Sequence, residues 1–180
     1  MVITKVDFSQ LALYMELTSD FFNRDVVVVA KELLGNYIVR KFDNKLIKLE
    51  INEVEAYDGP LDLACHGRFG ITKRTKPMFE QGGHIYIYLI YGIHLMINIV
   101  CGPKGYPAAV LIRGAGQYSG PGRVSKALSI TKDMSGQRLG LASGLWIESS
   151  PPTKAILKTP RIGIKYAKEW ALVPYRFSYQ

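Results

Sequence analysis

The sequence predicts a mixed α/β domain in which antiparallel hairpins form the core and helices flank them. Three observations lead there: a helix-spaced apolar run that ends at Gly35, alternation on both sides of a polar turn at Asp43-Asn44-Lys45, and a β-prone apolar stretch divided at Tyr91-Gly92. With 180 residues, 48% of them apolar, the chain can bury one substantial core and is too short to argue for two domains. A single compact domain over residues 1–180 is the expectation.

The helix covers Ser19 to Leu34. Ser19 or Asp20 can cap it, Phe21, Phe22, Val26, Val29, Ala30, Leu33 and Leu34 recur at helical spacing, and the β-branched cluster predicts an interruption near Asn23 to Val27. Tyr37, Val39 and Phe42 then alternate up to the turn, which makes a hairpin with the strand that follows. In that second strand Ile47, Leu49 and Ile51 occupy the odd positions, and Glu53, Glu55 and Tyr57 continue them. In a regular strand those carboxylates would share the buried face, so either a bulge resets the phase or the strand runs from the core into a polar pocket. A buried carboxylate is costly unless it is paired or hydrogen-bonded.

His84 to Cys101 reads as two strands with aromatics near the tip of their hairpin. An odd number of loop residues would put Tyr88 and Asn98 on one face, and that is the expected arrangement. Ala108 to Arg113 is a buried strand ending in a charge. Ser119-Gly120-Pro121-Gly122 leads into a helix beginning near Arg123, whose N-terminus, with Arg123 and Lys126, offers a place for a phosphate. Short strands are expected around Leu145 to Glu148 and Arg161 to Lys165, with a closing strand at Tyr175 to Tyr179.

Composition narrows the function classes. The 23 Lys and Arg against 15 Asp and Glu give a formal net charge of +8, a balance suited to a polyanion. Cys65 and Cys101 lie far apart with no CxxC pair, so neither a disulfide framework nor a thiolate zinc site is indicated. His66, His84 and His94 lack HExxH or comparable spacing, and no metal is expected. The first residues have no signal-peptide pattern and no apolar run reaches membrane-spanning length, which predicts a soluble intracellular protein without membrane contact.

Together these segments resemble the alkyladenine (3-methyladenine) DNA glycosylase family. The resemblance is carried by FFNRDVVVVAKELLG at Phe21 to Gly35, EVEAYDGPLDLACHGR at Glu53 to Arg68, and HIYIYLIYGIHLMINIVCG at His84 to Gly102. AAVLIR at Ala108 to Arg113, SGPGRVSKALSI at Ser119 to Ile130 and the segment from Pro160 to Phe177 extend it over most of the chain. It implies a curved antiparallel sheet with flanking helices, and a basic face whose protruding hairpin enters the minor groove of double-stranded DNA. Tyr91 would fill the gap left by an extruded damaged purine. Glu55 would be the general base and Arg113 the partner that helps hold the attacking water. Tyr57, His66 and Tyr88 would line the pocket and Asn98 would discriminate against the exocyclic amine of normal guanine, with His66 also near the nucleotide backbone. Thr72, Lys73, Arg74 and Lys76, in a loop of basic character, would track phosphates. The implied enzyme is a monomeric, cofactor-free, monofunctional glycosylase, since no motif lysine is placed to form a Schiff base.

Without the resemblance, Glu55 reads as readily as a structural acid paired with Arg113, the tyrosines as sheet packing, and Asn98 as a satisfier of backbone. A non-catalytic binder of damaged or distorted DNA is the alternative from another class. One departure concerns the site directly. Between Arg113 and Ser119 the chain has only GAGQY, where family members usually carry a longer, helix-containing insertion. Either the connection is compact or a segment is missing from it, and the placement of Arg113 depends on which.

Overall fold

The computed structural model describes residues 16–150 and 155–179. Two short helices open it, α1 (Ser19–Phe22) and α2 (Val26–Leu33), followed by the hairpin β1 (Tyr37–Phe42) and β2 (Lys45–Asp58). The second hairpin is β3 (Ile85–Ile90) and β4 (His94–Cys101); β5 (Ala108–Ala115), β6 (Tyr118–Ser119), α3 (Pro121–Ala127), β7 (Leu145–Glu148), β8 (Ile156–Thr159) and β9 (Arg176–Tyr179) complete the order. The nine strands form one open antiparallel sheet in the order β3-β4-β5-β2-β1-β7, with β6 on β5, and β9 on β2 and β8.

The helical run is interrupted as expected, but not by its β-branched residues. Val26 and Val29 lie inside α2, where with Ala30 and Leu33 they bury the face that packs on the sheet. The break falls at Asn23 to Asp25 because Asp25 starts a new helix, its carboxylate accepting from Val28 N at 2.9 Å. The turn between β1 and β2 is a two-residue loop in which Asp43 and Asn44 both take positive φ, 44° and 59°, a conformation their short polar side chains tolerate.

Strand β2 is the spine. Its first half pairs with β1, while its second half lies between β5 and β9. At the changeover the register with β5 shifts twice, from Ile51↔Ala115 to Glu53↔Gly114 and then to Val54↔Ile112. One extra residue, Asn52, therefore stands on β2 and one, Arg113, on β5, and the two bulges compensate each other. Gly114 is required by the close approach: an added Cβ would sit 2.4 Å from Asn52 Oδ1 and 2.9 Å from Glu53 Cβ. The reset returns Val54 and Ala56 to the core with Ile51, and turns Glu55 and Tyr57 to the opposite face.

The main core lies between that face of the sheet and the helices, and includes Phe22, Val29, Leu33, Ile97, Ile99, Val110, Ile112, Val124 and Leu128. On the other face a smaller cluster of Cys65, Met78, Tyr86, Val100 and Ala109 packs with Tyr57 and Tyr88. Both cysteines are buried free thiols. The closing strand is present as β9, and β7 matches its expected range. The strand expected at Arg161 to Lys165 is absent: the segment is an irregular loop running into a 3₁₀ stretch at Lys165–Ala171, and the strand of this region is β8. Arg161 points its charge into the protein instead of alternating, which is why the segment cannot pair as a strand. Helix α3 begins at Pro121, two residues before the expected start, as suits a proline in the first turn. No helix of the described residues is long and apolar enough to cross a membrane.

Candidate active site

The hairpin β3–β4 has a three-residue loop, Tyr91-Gly92-Ile93, so Tyr86 pairs with Asn98 and Tyr88 with Met96. Paired residues of an antiparallel ladder share a face, and these four project together, opposite the main core. They wall a cavity of about 380 Å³, of the size that holds a small ligand, whose other sides come from Tyr57, His66, Arg74 and the loop at Ile162 to Ile164. Tyr91 and His94 stand at its hairpin side.

The carboxylate of Glu55 lies behind this wall and is fully buried. Its Oε2 accepts from the Tyr57 hydroxyl at 2.8 Å and its Oε1 from the backbone N–H of Ile162 at 2.8 Å. Arg113 Nη1 is 3.6 Å from Oε1. Burial raises the Glu55 pKa above the ordinary carboxylate value, and the Arg113 charge, the Ile162 N–H, the Tyr57 hydroxyl and Arg161 oppose that rise. The result is an ionisable carboxylate made more basic than one in water yet held by specific donors. Tyr57 is pushed well above the usual phenol range, by burial first and then by Glu55, so it stays a proton donor to that carboxylate.

The cavity's aromatic lining is interlocked. His66 Nδ1 and the Tyr86 hydroxyl are 2.9 Å apart, His66 meets Tyr88 edge-on at 4.6 Å between centroids, and Tyr86 and Tyr88 are 5.6 Å apart. Burial, with Arg74 nearby, lowers the His66 pKa from 6.5 to about 4, so the ring is neutral near neutral pH. A histidine that protonates more readily unfolded than folded subtracts stability as pH falls through the window between those values. His66→Gln should therefore flatten the fall in stability between pH 6.5 and about 4, read from denaturant midpoints across pH. Asn98 is buried, and its Nδ2 donates to the carbonyls of Tyr86 at 3.2 Å and Met96 at 3.1 Å, which fixes the amide in the cavity wall.

Tyr91 is 90% exposed with φ +52°, a left-handed conformation that a tyrosine adopts at a cost, and Leu89 and Ile93 beside it are also exposed. Helix α3 abuts the tip end of this hairpin, Gly122 lying against the His94 ring. Among the expected phosphate contacts, Arg74 joins the cavity wall, while Lys73, Lys76, Arg123 and Lys126 are exposed away from its lining. Thr72 holds its own loop together through Thr75, whose hydroxyl is buried against the Gly70 carbonyl.

The connection after Arg113 is compact. Gly116 and Gln117 turn β5 into β6, with Gly114 facing Ser119 and Ala115 facing Tyr118. Arg113, just before this turn, donates through Nε to Glu53 at 3.2 Å.

Four contributors were not singled out from the sequence. Tyr86 could have been, because it lies two residues before Tyr88 on the same strand face. Glu53 gave a partial signal as a carboxylate out of phase in β2. Arg161 and Asp62 form a fully buried ion pair, Arg161 Nη2 donating to Asp62 at 2.9 Å, and Arg161 also donates to the Ala56 carbonyl at 2.8 Å and lies 4.8 Å from the Tyr57 ring centroid. This anchors the loop whose Ile162 N–H holds Glu55. Among the described residues no group of three His, Cys, Asp or Glu lies together to hold a metal ion.

The family model described as Methylpurine-DNA glycosylase (MPG) matches residues 20–118 and 116–180, its two stretches meeting at the compact turn after β5. The chain is 41% identical to a protein of Methanocella arvoryzae, over 89% of this chain and 90% of that one. It is 43% identical to one of Legionella pneumophila (strain Paris), over 90% and 93%, and 38% identical to one of Anaeromyxobacter sp. (strain Fw109-5), over 91% and 89%. All three bear the name "Putative 3-methyladenine DNA glycosylase". With the family model covering nearly the whole chain and these relatives aligned almost end to end, the chain belongs to the methylpurine-DNA glycosylase family.

Proposed function

We propose that the protein is a monomeric, single-domain glycosylase of base-excision repair that flips an alkylated or deaminated purine out of duplex DNA and hydrolyses its N-glycosidic bond, leaving an abasic site. The observation that carries this reading is Glu55: a carboxylate fully buried behind an aromatic cavity, held by Tyr57 and Ile162 and faced by Arg113. Burying an acid there is costly, and a base for water just behind the cavity's Tyr57 and Ile162, itself outside the lining as is Arg113, gives that cost a purpose.

A base within the duplex cannot be reached by water at its sugar carbon, so it is extruded, at a cost of a few kcal/mol. Tyr91 fills the vacated stack, with Leu89 and Ile93 as its apolar shoulders. The purine enters the cavity lined by Tyr57 and by the touching rings of His66 and Tyr88, where stacking is worth about 1–3 kcal/mol per base and tolerates several purine shapes. Neutral His66 and the protonated tyrosines add no positive charge to the lining beyond that of Arg74. Asn98, with its amide fixed in the wall, disfavours the exocyclic amine of guanine without shutting it out, so 7-methylguanine, which keeps that amine, is released because it leaves so readily. As the bond breaks, Glu55 stabilises the oxocarbenium-like sugar and takes a proton from water, and Arg113 helps hold that water. A cationic purine such as 7-methylguanine leaves as the neutral base without a strong acid, so for it one carboxylate suffices, whereas neutral hypoxanthine or ethenoadenine takes a proton from water as it leaves.

The test is a duplex containing 7-methylguanine, hypoxanthine or ethenoadenine, incubated with the protein and then treated with alkali. Alkali-dependent cleavage at the lesion, unaffected by EDTA and without borohydride-trapped adduct, is expected. Cleavage without alkali, or its loss in EDTA, would refute hydrolysis by an unaided carboxylate. The wedge and the basic loop should separate in binding assays. Tyr91→Ala should weaken capture of lesion duplex more than of undamaged duplex. Lys73→Ala should weaken both alike and reduce the salt slope by about one unit. Identical behaviour of the two variants would remove the wedge assignment.

A further inference from the structure

We propose that Glu53 and Arg176 are positioning residues that set how closely Arg113 bears on Glu55, and thereby the pH at which that carboxylate works as a base. This rests on the reading of Glu55 as general base. Glu53 Oε1 accepts from Arg113 Nε at 3.2 Å and from Arg176 Nη1 at 2.9 Å. Arg113 Nη1 stops 3.6 Å from Glu55 Oε1, beyond a good hydrogen bond. A guanidinium anchored through Nε to one carboxylate can bring its Nη donors to a second only as near as that anchor allows, so Glu53 keeps Arg113 close to Glu55 without letting it close on it.

Three strands build the arrangement. Glu53 faces Gly114 of β5 and Ser178 of β9, and Glu55 faces Leu111 of β5 and Arg176 of β9. The paired bulges at Asn52 and Arg113 bring Glu53 and Glu55 to one guanidinium from a strand on which they are only two residues apart, and Asn52 secures the bulge by donating to the Gly116 carbonyl at 2.8 Å. Arg176 is itself fixed through Nε to the Pro160 carbonyl at 3.1 Å, which ties it to the loop that carries Ile162. The charged and titratable groups around Glu55 are Arg113 from β5, Glu53 and Tyr57 from β2, Tyr88 from β3, Arg176 from β9 and Arg161 from the Ile162 loop.

The signs are opposite for the two residues. Removing the Glu53 charge releases Arg113 toward Glu55 and removes a like charge, and both changes favour the ionised carboxylate. Removing the Arg176 charge leaves Glu53 to draw on Arg113 alone and takes a cation from the strand facing Glu55, and both changes disfavour it.

The experiment is single-turnover release of 7-methylguanine from a duplex by the full chain, followed across pH. That base leaves without an acid, so the acidic limb of the profile reports the general base. Glu53→Gln should move the limb down by about half to one pH unit and Arg176→Gln should move it up by a similar amount. Glu53→Asp, which keeps the charge, should return the limb toward the wild-type position. Limbs that stay in place, or that move in the same direction, overturn the proposal. If Glu53→Gln does not fold, Arg176→Gln decides alone: an upward shift supports the proposal and an unmoved limb overturns it. Glu55→Gln in the same series separates the two claims. Full release by that variant sinks the general-base reading, whereas no release by it combined with unmoved limbs in the others sinks only the positioning role.

Discussion

Glu55→Gln should lower single-turnover release of a damaged purine by about 10³-fold or more while leaving capture of the lesion duplex nearly intact. The carboxamide keeps the volume of a fully buried side chain and can still accept one of the two hydrogen bonds that Tyr57 and Ile162 donate. It cannot take a proton from water or offset positive charge on the sugar. With its oxygen kept for the Ile162 N–H and Arg113, its N–H₂ would meet the Tyr57 hydroxyl, which must turn to accept, so a modest loss of stability should accompany the loss of rate. Because burial makes Glu55 more basic than a free carboxylate, wild-type release should rise with pH through that raised value and then level off. Release by the variant that approaches the wild-type rate would mean that water is activated elsewhere.

Arg161→Met should cost roughly 3–5 kcal/mol of folding stability, because it leaves Asp62 charged and unpaired where neither side chain is exposed. Asp62 accepts from the backbone N–H groups of Asp58 and Ala64 as well as from Arg161, and Arg161 reaches the carbonyls of Ala56 and Trp170. One pair thus joins the end of β2 to the loop that supplies the Ile162 N–H. Excision should suffer beyond the stability loss, since Glu55 would lose its positioned donor. The double variant Asp62→Leu/Arg161→Met removes both charges and should recover part of the lost stability, though not all, because two backbone donors are left unmatched. Denaturant midpoints for the single and double variants check this, and a double variant no more stable than Arg161→Met would show that the unpaired charge is not the source of the cost.

Glu55 announced itself in the sequence because alternation is rigid: a strand with period two cannot carry Ile51 and Glu55 on one face unless the face changes character or the phase slips. The structure does both, with paired bulges resetting the phase and an aromatic cavity on the far side. The shared face of Tyr88 and Asn98 was legible for the same reason, since it followed from loop parity at Tyr91-Gly92-Ile93. The loop at Arg161 to Ile164 was not legible. It has no period of its own, and its position is set by a bond between Arg161 and Asp62, 99 residues apart in sequence, that no local pattern encodes. Arg113 was identified only through the resemblance, and its freedom to reach Glu53 and Glu55 depends on a bulge opposite a glycine, which is a property of two strands together. The break after α1 was anticipated in place but not in cause, because the capping of α2 by Asp25 outweighs the modest helix propensity of the valines.

The most direct test of the account is to mix the full chain, in molar excess, with a duplex holding one 7-methylguanine, and to measure by chromatography both the free base and the protein-bound intact duplex. Free 7-methylguanine should appear in amounts equal to the abasic sites formed, and bound intact lesion duplex should be depleted as it does. Stable capture of the lesion duplex, with no free base from either the wild-type chain or Glu55→Gln, would contradict it and identify the protein as a binder of damaged DNA.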